Sequence, residues 1–390
     1  MNSSATPGSP TYDLAAWRKR IPIIASGALI PMNNCSQAPQ TDATRAAAER
    51  YLESWNSSGM DWEAWMTEVA LAKREFATLI NASPDDIAVF SSVSEATSAV
   101  ASALDFTGSR RRVVVSEAEF PSVGHVWLAQ QSRGAQLAWA RVHAGEIQPD
   151  AYDGLIDDET VLVSACHGYY LNGFVQDVAE IATRAHAHGA LAYVDAYQTL
   201  GAVPMDVQAT GVDFLASGNL KFLMGVPGIA FLYVRPEVVA RFHPTVTGWF
   251  GRSDPFAFDV KKLDWSASAS RFDSGTPPVI NAYIARAGME ILNEIGVAKI
   301  HAWNQRLTQR LIEGGRTRGF TLHGTSDASR KTASTAFVVD DSHTIEHAML
   351  TRGIIASARG PVIRLAPHFY SSFEDVDRAL DALASSLAPA

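Results

Sequence analysis

A single lysine, Lys221, follows a polar, glycine-bearing turn between two apolar runs of the sequence. Most lysines are solvated surface charges, but a side chain held between apolar runs is partly withdrawn from water. Desolvation disfavours the protonated amine, so it lowers the pKa and makes the amine nucleophilic. Such an amine can hold an aldehyde as a Schiff base, and Lys221 is therefore the predicted catalytic residue.

A carboxylate, Asp195, directly follows the short apolar run 191–194, which has the composition of a buried strand. A carboxylate at a strand end can cap a helix, or it can keep the ring nitrogen of a pyridine-based cofactor protonated. Gln198, three residues further on, could donate a hydrogen bond to the phenolate oxygen of that cofactor. Because Lys221 lies just after the next apolar run, we favour the cofactor role for Asp195.

Hydroxyls and backbone amides at a helix start form a third group of candidates. Ser92, Val93 and Ser94 follow the apolar run 87–90 and open an alanine-rich helix, where free amides favour a phosphate. An ordinary serine N-cap would give the same pattern. Phe120 also follows an apolar run and could stack on a pyridine ring, although a core phenylalanine has the same signature.

An arginine, Arg364, lies inside the apolar segment 362–367, which reads as a strand. A buried arginine needs a partner, and a carboxylate matches the planar guanidinium with two hydrogen bonds. We therefore predict that Arg364 binds the carboxylate of an amino-acid substrate, with an internal ion pair as the alternative. Two further segments, around Trp249 and Thr276, carry donors that could complete a phosphate site or could be turns only.

The elements that position these residues are predicted by short apolar runs that alternate with helical patterns. This alternation indicates a mostly parallel sheet with helices on both faces. Ligands of such sheets collect outside the carboxyl ends of the strands, where the candidate residues fall. The predicted strands of this sheet include 87–90, 113–115, 136–140, 161–165 and 191–194.

After about residue 255 the pattern changes to two amphipathic helices, three short strands and a closing helix. The predicted helices are 280–295, 300–314 and 373–387, and the predicted strands are 320–322, 335–339 and 362–365. We therefore predict a large domain over residues 36–260. A smaller α+β domain is expected to combine residues 1–35 with residues 261–390.

Bulk composition excludes several classes of function. A net charge of −9 over 390 residues argues against nonspecific nucleic-acid binding, which requires clustered Lys and Arg. No apolar run is long enough to cross a membrane, and the N-terminal segment lacks the apolar core of a secretory signal, so a cytoplasmic protein is expected. The two cysteines, Cys35 and Cys166, lack metal-ligand spacing, and no metal site is predicted.

Four segments together resemble the class-V aminotransferases, a family of fold-type I pyridoxal 5'-phosphate (PLP) enzymes: VDAYQTLGAVPMDV, the lysine turn, GTPP and IRLAPHFY. The resemblance covers about residues 33–387 and implies an α/β fold with a mostly parallel, seven-stranded sheet. It also implies PLP bound to Lys221 as an aldimine, and a homodimer with active sites at the subunit interface. The residues expected to bind the cofactor are Ser92, Val93, Ser94, Phe120, Tyr170, Asp195, Gln198, Asn219, Trp249 and Thr276.

Departures from the family patterns narrow the choice of reaction. Desulfurases carry a cysteine shortly before the carboxylate-binding arginine, and segment 353–360 has none. Kynureninases carry histidine where Gln198 stands and Asn-Pro-Pro where Thr276 begins Thr-Pro-Pro. We therefore predict a side-chain-cleaving lyase in which Lys221 removes the α-proton and PLP stabilises a quinonoid, with an aminotransferase as the alternative.

Other functions rank below these two. They are a kynureninase-type hydrolase, an epimerase with Tyr170 or His368 as second base, and a PLP-fold binding protein without activity. A nucleotide-binding oxidoreductase is disfavoured because no strand is followed by Gly-x-Gly-x-x-Gly. The residues that could read the substrate side chain at the pocket mouth are His125, Tyr169, Arg252, Arg359 and His368.

Overall fold

The computed structural model describes residues 9–387, so residues 1–8 and 388–390 of the predicted small domain lie outside the described part. Twelve strands are formed there: β1 (Ile30–Pro31), β2 (Ile87–Phe90), β3 (Arg112–Ser116), β4 (Gln136–Ala140), β5 (Thr160–Cys166), β6 (Leu191–Asp195), β7 (Phe214–Gly218), β8 (Ala230–Val234), β9 (Thr335–Val338), β10 (Ile354–Ile355), β11 (Ser357–Arg359) and β12 (Val362–Leu365).

The same residues form thirteen α-helices. They are α1 (Leu14–Lys19), α2 (Pro22–Ala25), α3 (Asp42–Ser58), α4 (Trp62–Leu79), α5 (Val93–Ser102), α6 (Pro121–Ala129), α7 (Val178–Ala187), α8 (Val207–Thr210), α9 (Pro236–Val239), α10 (Val279–Ile295), α11 (Val297–Thr317), α12 (Ser342–Leu350) and α13 (Phe373–Leu387). None of these helices combines the length and the apolar character needed to cross a membrane.

Seven strands form the main sheet in the spatial order β2-β8-β7-β6-β5-β3-β4. Every neighbouring pair from β7 to β4 is parallel, whereas β8 runs antiparallel to both β7 and β2. The predicted α/β class and the mostly parallel, seven-stranded sheet are confirmed. The five strands read from the sequence all occur, with ends shifted by at most one residue.

The sheet is buried on both faces because successive side chains of each strand point to opposite sides. On β3, Val114 belongs to one apolar cluster, and Val113 and Val115 belong to the other. The first cluster contains Phe76 of α4, and the second contains Trp127 of α6. Helices therefore cover both faces, and only the ends of the strands are left for a site.

The helices α5 and α6 begin shortly after β2 and β3, and each helix start fixes the residues that link it to the strand. Ser92 caps α5, and its Oγ accepts a hydrogen bond from the backbone amide of Glu95 at 3.1 Å. Pro121 starts α6, where its missing N–H costs no intrahelical hydrogen bond. These two starts hold Ser92 and Phe120 at the carboxyl ends of β2 and β3.

The C-terminal part forms a smaller antiparallel sheet in the order β11-β12-β9, with α11, α12 and α13 packed around it. The strand predicted at 320–322 was wrong, since that segment makes a single bridge, Leu322 to Phe337. The smaller α+β unit itself is present, as predicted. The boundaries 36–260, 1–35 and 261–390 stay a prediction, and α10 packs against α3 and α4.

The N-terminal segment connects the two sheets. Strand β1 pairs in parallel with β10, and Asn33 forms a bridge with Ala366 just beyond β12. A few residues later, the amide of Ala38 donates to the carbonyl oxygen of Leu220 at 2.9 Å. Residues 33–38 therefore run from the small sheet to the turn that carries Lys221.

Candidate active site

A cavity of about 200 Å³ lies at the carboxyl ends of the main-sheet strands. Five of the predicted cofactor-binding residues line it: Ser92, Val93, Ser94, Phe120 and Asp195. They lie at or just after the carboxyl ends of β2, β3 and β6, so the strand order brings together residues up to 103 positions apart. Tyr197 and Leu220 complete the wall on the side of the lysine turn.

The start of α5 forms the polar end of this cavity. A helix of ten residues presents unpaired amides at its N-terminus, and these favour an anion. Glu95, in the first turn, accepts hydrogen bonds from the backbone amide and hydroxyl of Ser91, and another from the hydroxyl of Ser274 at 2.9 Å. The segment that contains Thr276 is thereby tied to the α5 start.

Asp195 is buried, with 5% of its surface exposed, at the end of β6. Its Oδ1 accepts a hydrogen bond from the amide of Tyr197 at 2.8 Å. Burial raises the pKa of Asp195, while the Tyr197 amide and the charge of Lys221 oppose the rise. A buried carboxylate with these partners is suited to pair with a cationic ring nitrogen.

A second carboxyl group, Glu119, lies behind Asp195 and is equally buried. One of its oxygens accepts a hydrogen bond from Ser164 at 2.9 Å, and the other has no partner among residues 9–387. Burial and the nearby charge of Asp195 raise the pKa of Glu119 well above its usual value. Protonation of Glu119 is therefore favoured beside the Asp195 carboxylate.

Lys221 follows β7 on the predicted turn and is partly buried. Burial lowers the pKa of its amine to about 8, although Asp195 acts in the opposite direction. The Nζ lies 4.2 Å from the ring centre of Tyr197 and 5.5 Å from that of Phe120, two rings that line the cavity. An amine that is about half neutral near pH 8 at this position can attack an aldehyde.

Arg364 is 1% exposed on β12, yet it makes no ion pair with any acidic side chain of residues 9–387. Its guanidinium donates to the carbonyl oxygen of Tyr170 at 2.8 Å, to Ser36 Oγ at 2.9 Å and to Ser357 Oγ at 2.6 Å. Neutral acceptors hold the group in place without neutralising it. A buried cation of this kind is prepared for an anionic ligand.

Gln198 and Tyr170 lie close to these groups. The side-chain amide of Gln198 is buried and donates to the carbonyl oxygen of Cys35 at 3.1 Å, which leaves its second N–H for another acceptor. The ring of Tyr170 meets that of Phe120 edge to face, with centroids 5.3 Å apart. Tyr170 thus contacts the wall that Phe120 forms.

Besides Gln198 and Tyr170, three more predicted cofactor-binding residues lie outside the cavity wall. The Asn219 side chain is buried against Gly225, and neither polar atom has a partner in the described chain. Trp249 lines a separate cavity of about 490 Å³ and packs against Trp62 and Phe258. Thr276 is exposed. Within one chain, the structure does not bring Trp249 and Thr276 to Lys221.

Two residues expected at the pocket mouth have other partners. Arg252 is 8% exposed and forms an ion pair with Asp264 at 2.8 Å beside the separate cavity. His368 is fully buried, and its Nε2–H donates to the carbonyl oxygen of Phe222 at 2.9 Å. Burial lowers the pKa of His368 to about 4, so the ring is neutral near pH 7. Its hydrogen bond holds Phe222, the residue that follows Lys221.

Four residues that the sequence did not single out lie at the site: Ser36, Glu119, Tyr197 and Ser357. Ser36 contacts Arg364 from 328 positions away in the sequence, and Ser357 contacts it from 7 positions away. Tyr197 passes over Gly218, where an added Cβ would lie 2.1 Å from the tyrosine ring. Glu119 precedes Phe120, and a charged residue beside an apolar run was the available signal for it.

The side chains fit PLP by their chemistry. Amides and hydroxyls at the α5 start suit a phosphate, a buried carboxylate suits a pyridine nitrogen, and a neutral amine suits an aldehyde. All three lie around one cavity. The aromatic ring of Phe120 gives that cavity a flat apolar wall, as a planar ring requires.

Comparisons with known proteins agree with this chemistry. The sequence profile described as "Aminotransferase class-V" matches residues 34–376. An uncharacterized aminotransferase, YcbU, of Bacillus subtilis (strain 168) is 34% identical over 371 residues, which cover 95% of this chain and 97% of YcbU. The kynureninase of Pseudomonas fluorescens is 27% identical, covering 86% of this chain and 82% of its own.

Among solved structures, the apo cysteine desulfurase from Thermococcus onnurineus NA1 has a TM-score of 0.86 with this chain at 22% identity. The match covers 99% of both chains. At this level of identity the likeness concerns the fold alone, and it confirms the predicted fold-type I architecture.

Proposed function

This chain belongs to the aminotransferase class-V family and is a PLP-dependent enzyme, and we propose that it acts on an α-amino acid whose carboxylate binds Arg364. The observation that carries the proposal is the buried guanidinium of Arg364, which neutral groups orient and no acid neutralises. A carboxylate would neutralise the charge and accept from the one Nη1 N–H that no protein acceptor uses, and a second hydrogen bond would displace a neutral acceptor.

The cofactor contacts form part of this proposal. Ser92, Val93 and Ser94 would bind the phosphate at the α5 start, and Phe120 would stack on the ring, with Tyr170 against its edge. Lys221 would bind the aldehyde. The remaining contacts would come from Asp195 at the ring nitrogen, Gln198 at the phenolate oxygen, and Asn219 in the lysine turn.

The chain's own groups would carry the proton transfers. When bound, PLP withdraws electrons from the substrate's Cα through its protonated ring nitrogen. The Asp195 carboxylate holds the proton at that nitrogen, because an adjacent negative charge favours the cationic ring. Lys221 Nζ takes the proton from Cα, and its lowered pKa lets it act as a base near neutral pH.

After the α-proton has gone, we propose that a group at Cβ leaves, so that the enzyme is a side-chain-cleaving lyase. The two cysteines are buried, and segment 353–360 has none, which argues against a persulfide-forming reaction. Lyase chemistry is favoured by analogy with family members that lack this cysteine. An aminotransferase is the second candidate, because the YcbU relative carries that description.

The two reactions leave different products, so one screen separates them. Purified enzyme is incubated with a panel of L-amino acids, and keto acid, ammonia and released side-chain fragment are measured against time. A lyase releases the fragment over many turnovers with the cofactor retained as aldehyde. An aminotransferase makes one equivalent of keto acid per site and stops until an acceptor keto acid is added. The Lys221→Ala variant should do neither.

A homodimer is proposed to complete the site. Trp249 and Thr276 lie away from Lys221 in one chain, and apolar side chains beside Trp249 face solvent, with Phe258 72% and Val260 95% exposed. A second subunit would cover them and could bring Trp249 and Thr276 to the phosphate end. Light scattering should give twice the chain mass of 42.0 kDa, and Val260→Asp should shift it towards a monomer. A cytoplasmic location is part of the same proposal.

A further inference from the structure

A second arginine, Arg359, lies on β11, the strand next to the one that carries Arg364. In the antiparallel pair of β11 and β12, Ser357 lies opposite Arg364 and Arg359 lies opposite Val362. Side chains alternate along a strand, so Ser357, Arg359 and Arg364 share one face of the sheet. The hydrogen bond from Arg364 to Ser357 Oγ confirms which face this is.

The Arg359 side chain is exposed and makes neither an ion pair nor a hydrogen bond with residues 9–387. Glu346, on the adjacent α12, has both oxygens directed elsewhere. One accepts from the Ala358 amide at 2.8 Å, and the other lies 3.6 Å from His343 Nδ1. The charge of Arg359 is therefore not neutralised by its own neighbours.

The charge of Arg359 also reaches the reacting amine. Burial is the main cause of the lowered pKa of Lys221, and the charges of Arg364 and Arg359 lower it further. The substrate end of the site thus contains three basic side chains. A PLP-bound amino acid with one carboxylate would satisfy Arg364 and leave Arg359 without a counter-charge.

We propose that Arg359 binds an anionic group on the substrate's side chain, so that the preferred substrates are α-amino acids with a second negative charge. The inference deepens the proposed function and rests on it. A carboxylate and a sulfinate share the required chemistry, which is a compact anion with at least two acceptor oxygens. The two anions differ in the side-chain fragment that a lyase would release.

The test is a spectroscopic titration of the purified, PLP-loaded enzyme with L-aspartate, L-glutamate, L-asparagine, L-glutamine and L-cysteine sulfinate. Each acid and its amide have the same size, so the comparison isolates the charge. We expect at least one acidic ligand to half-saturate the change in cofactor absorption at a concentration about tenfold lower than its amide, since a charge-assisted pair is lost. Added salt should reduce this ratio.

Variants assign the preference to the side chain. Arg359→Ala should bring each acid and amide within about twofold, and Arg359→Lys should keep part of the preference, because a point charge remains. Arg111→Ala is the matched control, since Arg111 is exposed and precedes β3 at the opposite end of the sheet. It should leave the ratio unchanged.

Two results would overturn the inference. One is a wild-type enzyme that binds the amides as tightly as the acids, which would leave the proposed function intact. The other is an Arg359→Ala variant that keeps the preference or weakens both ligand classes equally. If no amino acid of either class perturbs the cofactor spectrum of the wild type, the proposed function fails together with this inference.

Discussion

The guanidinium of Arg364 on β12 donates a hydrogen bond to the backbone carbonyl oxygen of Tyr170 at 2.8 Å. Tyr170 follows β5 of the main sheet, so this contact joins the small sheet to the wall of the cofactor cavity. Arg364 is therefore anchored to the residue whose ring contacts Phe120. The distance between the guanidinium of Arg364 and the amine of Lys221 therefore depends on how the two sheets pack.

Replacing Arg364 by lysine should weaken substrate binding and leave the cofactor in place. The shorter cation cannot donate two parallel hydrogen bonds, and a hydrogen bond to a charged group contributes about 1.5–3 kcal/mol. We expect KM for the best amino acid to rise about tenfold or more, with the visible cofactor band unchanged. An Arg364→Lys enzyme with an unchanged KM would show that the carboxylate binds elsewhere.

Ser36 is predicted to position Arg364 rather than to touch the cofactor. Its hydroxyl accepts from the guanidinium at 2.9 Å and lies 2.7 Å from Ser357 Oγ. Ser36→Ala should raise KM about two- to fivefold and change kcat less, because the remaining contacts still hold Arg364. Ser26→Ala, an exposed change in the same N-terminal segment, is the control. If Ser36→Ala lowered kcat by the same factor by which it raised KM, the positioning role would be contradicted.

The lowered pKa of Lys221 predicts how its amine reacts in the cofactor-free protein. Only the neutral amine is acylated, so labelling should be half-maximal near pH 8, whereas an ordinary lysine needs about pH 10.4. Peptide mass spectrometry measures this residue by residue. The exposed Lys299 is an internal comparison. Added PLP should protect Lys221 and leave the labelling of Lys299 unchanged.

The Glu119 and Asp195 pair predicts a pH-dependent stability. Burial raises the folded-state pKa of Glu119, so the folded protein keeps a proton that the unfolded chain releases above about pH 4.3. Wild type should therefore lose stability relative to Glu119→Gln as the pH rises above about 4.3, the pKa of an unfolded glutamate. Urea unfolding of the cofactor-free proteins measures this difference. A pH-independent difference, matching that of the exposed control Glu117→Gln, would argue that Glu119 is ionised.

The sequence predicted the parts of the site that local patterns encode. Lys221 and Asp195 each stand at the end of an apolar run, and the parallel order of the strands places such ends together. Ser92 precedes a helical pattern, as an N-cap does, and its Oγ accepts a hydrogen bond from the amide of Glu95. The fold class followed from the same alternation of strands and helices.

Other parts depend on contacts between distant segments, which no local pattern shows. Ser36 reaches Arg364 because residues 33–38 cross from one sheet to the other. Arg252 was expected near the substrate, yet it pairs with Asp264 twelve positions away. The segment 320–322 has strand-like residues but finds only one bridging partner, so its predicted strand does not form.

Reduction of the purified holoenzyme with borohydride, followed by peptide mapping, tests the central claim most directly. Borohydride fixes PLP covalently to whichever lysine holds it. Lys331 is the sharpest alternative within the chain, since it is buried, has a similarly lowered pKa and donates to the Asn172 carbonyl away from the cavity. We predict the added mass on the peptide that contains Lys221 and none on the peptide that contains Lys331. A label on Lys331 or another lysine, or no label in a protein that retains PLP, would contradict the role of Lys221.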